Sequence, residues 1–138
     1  MLYLFVMKKS KVKVGDVITP GDVNVWPHEA ATAKALAAVG HEVRFIKKSE
    51  RDRETSADAY IDGEKWEMKA PRSSKLSAVE DNLKKATKQS DKIVFDSRRM
   101  KLVPDRAIER ELTSQFHKSN RISQIRFVNR HGEVVDIE

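Results

Sequence analysis

The sequence contains no cysteine, which excludes disulfides and any thiolate-bound metal. Its five glycines are dispersed, and no glycine-rich phosphate loop can be assembled from them. No stretch reaches the roughly 20 apolar residues that a helix needs to cross a bilayer. The apolar run at 1–7, MLYLFVM, lacks a basic leader and is about half the usual length of a signal core. It reads as a first strand that packs inward, with a vector remnant as the alternative for its first few residues. There is no internal repeat and no low-complexity tract, so solenoid architectures drop out. A Gly-x-Ser-x-Gly turn is missing as well. The four histidines, His28, His41, His117 and His131, are scattered without metal-ligand spacing. Each is expected to be structural or exposed, and His28, although next to Glu29, to point elsewhere on its helix.

What is present is a single domain's worth of chain, 138 residues, 39% of them hydrophobic and carrying a net charge of +6. The charge is unevenly spread. Residues 1–64 hold ten basic and ten acidic side chains, and 102–138 hold six of each. Residues 65–101 hold eleven basic and five acidic, so the whole excess lies there. A local excess of this kind suits a polyanion, with nucleic acid the first candidate. A solvated lysine-rich helix is the plainer explanation.

Hydrophobic periodicity and turn residues order the chain. Strands are expected at 2–6 and 11–18, with Val12, Val14 and Val17 as the apolar positions of the second, and a short extended piece at 23–26. A helix follows at about 27–39, with proline in its first turn and Gly40 at its end. Its interior, AATAKALAAV, is strongly helix-forming. Glu29, Ala33 and Leu36 share one stripe, so Glu29 stands at the end of a face that should be buried; complementing the helix dipole is its ordinary explanation. A strand at 41–46 and a charged loop at 47–56 precede a hairpin at 57–70. A helix at 76–88 has Ser77 and Glu80 in capping-box spacing. A buried strand at 92–96, an exposed turn at 97–101, a helix at 104–118 and strands at 122–128 and 134–137 complete the chain. The order implies an α/β fold with a single mixed central sheet flanked by helices.

The hairpin carries the chemistry. Asp62-Gly63 separates two alternating runs, a strong turn signal. Asp58 lies on the first run; Glu67 and Lys69 lie two apart on the second and therefore share a face. Trp66 and Met68 fall on the opposite face, toward a helix layer. Two carboxylates with one ammonium group can hold a divalent metal and a phosphate. Mg²⁺ prefers oxygen ligands and keeps several waters, so one or two carboxylates suffice. Asp58 and Glu67 are the candidate metal ligands, Lys69 the cation that stabilises developing charge, and Glu29 an acidic residue entering from the first helix. On spacing alone, Glu-x-Lys is equally consistent with a surface ion pair. Lys84, Lys85 and Lys88, with Arg98 and Arg99, are the candidate nucleic-acid contacts.

Glutamate on a first helix, aspartate on a strand and Glu-x-Lys on the next resemble the PD-(D/E)xK nuclease superfamily. Within it, ADAYIDGEKWEMKAPRSS followed by NLKKATKQSDKIVFD is similar to the tRNA-cleaving C-terminal domains of bacterial contact-dependent growth-inhibition toxins. The similarity covers roughly residues 27–100; residues 1–26 and 102–138 carry no matching motif. It implies a restriction-endonuclease-like core at 27–100, preceded by strands and followed by a helix and strands. It implies Mg²⁺- or Mn²⁺-dependent hydrolysis of RNA, tRNA first, with Asp58 and Glu67 on the metal, Lys69 as catalytic lysine and Glu29 as the helix-borne acid. It also implies a cognate immunity protein as partner. The setting would be bacterial: the cytoplasm of a target cell if the chain belongs to a secreted toxin, its own cytoplasm otherwise. Asn82 and Gln89 fall at polar helix positions of that family, without an assigned role. One departure is that Ala57, not proline, precedes Asp58. A DNA endonuclease of the superfamily and a non-catalytic nucleic-acid-binding domain are the alternatives.

Overall fold

The computed structural model of the chain describes residues 13–47 and 58–138. The strand expected at 2–6, the start of the one expected at 11–18, nearly all of the charged loop at 47–56 and Ala57 lie outside the described residues.

The described strands form one seven-stranded sheet in which spatial order follows chain order. They are β1 (Val17–Ile18), β2 (Val43–Phe45), β3 (Asp58–Ile61), β4 (Glu64–Lys69), β5 (Lys92–Asp96), β6 (Gln124–Val128) and β7 (Val134–Asp136). β1 and β2 run parallel, as do β4, β5 and β6, while β3 and β7 run against their neighbours. Three helices connect the parallel neighbours, as such pairs require: α1 (Pro27–Ala38), α2 (Ser77–Ala86) and α3 (Asp105–Lys118). The mixed sheet flanked by helices is the α/β architecture that the element order implied.

Alternation along the strands sorts the core into two halves. Val43, Phe45, Ala59, Ile61, Trp66, Met68 and Val94 pack with Ala33 and Leu36 of α1. Ile93, Phe95, Ile125 and Phe127 face the other way and pack with Val79 and Leu83 of α2 and Ile108 and Leu112 of α3. Trp66 and Met68 thus lie on the α1 side, opposite Glu67. The guanidinium of Arg126 also stacks over the Trp66 ring, 4.2 Å from its centre, a cation–π contact.

The hairpin is set by its turn. Asp62 and Gly63 both have positive φ, 50° and 85°, as a type I′ turn demands. Asp62 is tied further by accepting from the Glu42 amide at 2.9 Å and by the His41 ring nitrogen at 2.6 Å. Burial works to raise the Asp62 pKa, but these two contacts outweigh it and hold the carboxyl below its ordinary value. The resulting register pairs Asp58 with Glu67.

Several local expectations need correction. β1 is two residues long, and Val14 and Val17 are exposed rather than core residues. Before β1 the chain crosses another segment: a Cβ on Gly15 would sit 2.0 Å from the His41 carbonyl oxygen, so that crossing needs glycine. Residues 23–26 form no strand, although Val23 and Val25 pack against the core. The Ser77–Glu80 capping box is not made, because Leu76 already has helical dihedrals and no side chain caps it; Glu80 pairs with Lys84 at 3.2 Å instead. The segment 97–101 is not an exposed turn. Ser97 and Met100 are buried, since the Ser97 hydroxyl donates to Asp105 at the start of α3 and its amide to Val128 of β6.

Candidate active site

Asp58 and Glu67 are cross-strand partners on adjacent antiparallel strands, so their side chains share a face. Both are withdrawn from water: Asp58 is 7% exposed and Glu67 0%. Asp58 Oδ2 lies 3.9 Å from the Lys65 ammonium, and its buried Oδ1 has no hydrogen-bond partner among the described residues. Lys69 follows Glu67 by two residues on the same face and stands level with Phe95 of β5.

β4 ends at Lys69, and a cleft of about 730 Å³ opens there, between the N-terminus of α1, α2 and the segment after β5. Glu29, Lys69, Arg72, Asn82, Arg99 and His28 are among its walls. Glu29 and Lys69 therefore meet in one cavity although they come from opposite faces of the sheet. Glu29 is buried, and its Oε1 accepts from the Trp26 amide at 2.8 Å, capping the first turn of α1. Asp58 and Glu67 lie behind Lys69 rather than in the cleft lining. No group of three or more histidine or carboxylate side chains among the described residues is arranged to hold a metal, so Glu29 does not complete a three-carboxylate cluster with Asp58 and Glu67. The Asp58–Glu67 pair, with Asp58 Oδ1 lacking a hydrogen bond among the described residues, offers an oxygen donor of the kind a divalent cation takes. It does not fit a closed cage.

The two neighbouring arginines divide their work. Arg98 forks onto Asp96, with Nη2 2.7 Å from Oδ2 and its amide 3.0 Å from Oδ1. That hydrogen-bonded carboxylate raises the Arg98 pKa above its already high value. Asp96 is buried and is also reached by the Thr32 hydroxyl at 2.5 Å, which ties α1 to β5. Arg98 is thus tied to the fold through Asp96. Arg99 donates from Nη1 to the Ala70 carbonyl at 3.0 Å and faces the cleft. Lys84, Lys85 and Lys88 are exposed on and just beyond α2, outside the lining of the cleft.

His28, expected to point away, lines the cleft beside Glu29. Burial depresses its pKa, the nearby charges of Arg99 and Arg72 add to this, and Asp96 opposes it. Arg72, absent from the candidate contacts named above, also lines the cleft. Its position directly after the Glu-x-Lys strand was the available signal, since whatever follows that strand borders Lys69. Asn82, left without a role, also reaches the cleft while donating to the Ala78 carbonyl at 2.7 Å.

An α/β domain with a cation-walled cleft beside a buried carboxylate pair is the class of molecule that these features define. The model of the contact-dependent growth inhibition CdiA C-terminal domain matches residues 55–134, and the chain belongs to that family. Its fold is similar to that of a chain in the CdiA-CT/CdiI toxin and immunity complex from Burkholderia pseudomallei, with a TM-score of 0.66 and 17% identity over 90% of this chain and 99% of that one. No curated protein matches the chain in sequence.

Proposed function

We propose that the chain is a growth-inhibiting nuclease that hydrolyses phosphodiesters in RNA, tRNA before DNA, with a divalent metal. One observation carries the reading: the register that sets Asp58 against Glu67 also brings Lys69 to the mouth of a cleft walled by Arg72 and Arg99. Membership of the CdiA C-terminal family supports it. Asp58 and Glu67 would hold Mg²⁺ or Mn²⁺, which when bound supplies Lewis-acid activation of the phosphate. Lys69 presents a cation where negative charge grows on the phosphoryl oxygens. Arg72 and Arg99 neutralise and orient the flanking backbone. Glu29 and the uncharged His28 imidazole border the same space and can accept a proton there.

The related toxin from Burkholderia pseudomallei was solved in complex with an immunity protein. By that likeness a cognate immunity protein is the expected partner, and the target-cell cytoplasm the expected place of action.

Incubation with tRNA and with plasmid DNA, with and without Mg²⁺, tests the reading. Cut tRNA, intact plasmid and no reaction in chelator are expected. The reverse substrate preference moves the assignment to DNA, and salt-dependent binding without cleavage reduces the chain to a binding domain.

A further inference from the structure

A second hollow of about 590 Å³ adjoins the cleft and is bounded by Arg72, Ser73, Ser74, Arg99, Lys101 and Leu102. The two share Arg72 and Arg99, so those guanidinium groups form the ridge between them. Three of its six bounding residues are cationic and none is acidic. Arg99 is held in place on that ridge by its hydrogen bond to the Ala70 carbonyl, 3.0 Å. Ser73 is locked in a local turn, accepting from the Lys75 amide at 3.1 Å. Leu102 is 81% exposed, an apolar side chain standing at a charged rim.

Cations bounding a hollow with an apolar side chain at its edge match a nucleotide, whose phosphate is anionic and whose base has an apolar face. Resting on the nuclease reading above, we propose that this hollow is a subsite for the nucleotide next to the scissile phosphate. Arg72, Arg99 and Lys101 hold that nucleotide's phosphate, and Leu102 lies against its base or sugar. The preferred substrate is then a strand whose bases are splayed from their partners, continuous across the Arg72/Arg99 ridge, rather than an isolated phosphodiester.

Lys101 and Leu102 are exposed, so the double variant Lys101→Gln/Leu102→Ser is expected to melt like the parent. Binding of fluorescent single-stranded RNAs of increasing length, in chelator and over a series of salt concentrations, reads the subsite. The parent's affinity should rise in a step once the strand is long enough to fill both hollows. The variant should lose that step, bind the longer strands about fivefold more weakly and show a salt slope smaller by about 0.7 to 1. Cleavage of RNA by the parent, together with unchanged length dependence and salt slope in the variant, overturns the subsite and leaves the nuclease reading standing. Failure of the parent to bind or cut either RNA or DNA overturns both. A variant that loses affinity for poly-glutamate but keeps it for RNA assigns the hollow to an acidic protein and also overturns the proposal.

Discussion

At the scale of single residues, the candidate site separates burial from reach. Glu67 is fully buried and Asp58 nearly so, whereas Lys69 and Glu29 border the cleft. Glu67→Gln keeps the volume and replaces one carboxyl oxygen with an amide nitrogen. With Lys69→Ala, it should lower cleavage by at least about a hundredfold, while circular dichroism shows an intact fold. Full activity in either variant removes the site assignment. His28 gives an independent probe that needs no activity. Its pKa lies below the ordinary 6.5 because burial and the charges of Arg99 and Arg72 oppose protonation. The unfolded chain therefore binds a proton before the folded one does, and His28 withdraws stability as pH falls through 6.5 to its folded value. Arg99→Gln should move the His28 titration upward in an NMR pH series; no movement would place Arg99 away from the imidazole.

At the scale of elements, the hairpin turn governs the carboxylate pair. A slip of one residue would send Glu67 and Lys69 to the α1 face and Trp66 to the other, so the turn that fixes the register also fixes the site. Gly63 has φ of 85° with open space around its α-carbon. Gly63→Ala therefore tests strain without collision, and denaturant unfolding should show a loss of about 1 kcal/mol. This element was legible in the sequence, because Asp-Gly, alternation and spacing of two all pointed the same way. The helices were legible for the same kind of reason: the alanine-rich interior of α1 and the apolar positions Ile108 and Leu112 of α3 express a local period. What escaped was decided by distant partners. Nothing local distinguishes Arg98 from Arg99; Asp96, anchored to α1 through Thr32, claims the first and leaves the second to the cleft. Likewise, Ser97 and Met100 are covered by β6 and α3, which no pattern within 97–101 announces.

At the scale of the whole molecule, much of the basic side-chain population of residues 65–101 falls in two places: the cleft and adjoining hollow with Lys69, Arg72, Arg99 and Lys101, and the exposed lysines on and just beyond α2. Neutralising Lys84, Lys85 and Lys88 together should weaken nucleic-acid binding and flatten its salt dependence, with little change in melting temperature. An unchanged slope would confine the contact to the cleft and hollow. Charge along the chain marks where the excess lies, but only the packing of α2 and the turn after β5 shows how that charge is divided between two surfaces.

Because each described strand bonds to the one before it in the chain, the sheet can grow at a single moving edge, and no late segment has to wedge between early ones. Such a chain can be paid out end-first and zip itself together in the order of its emergence, with loop closures between neighbours that cost little conformational freedom.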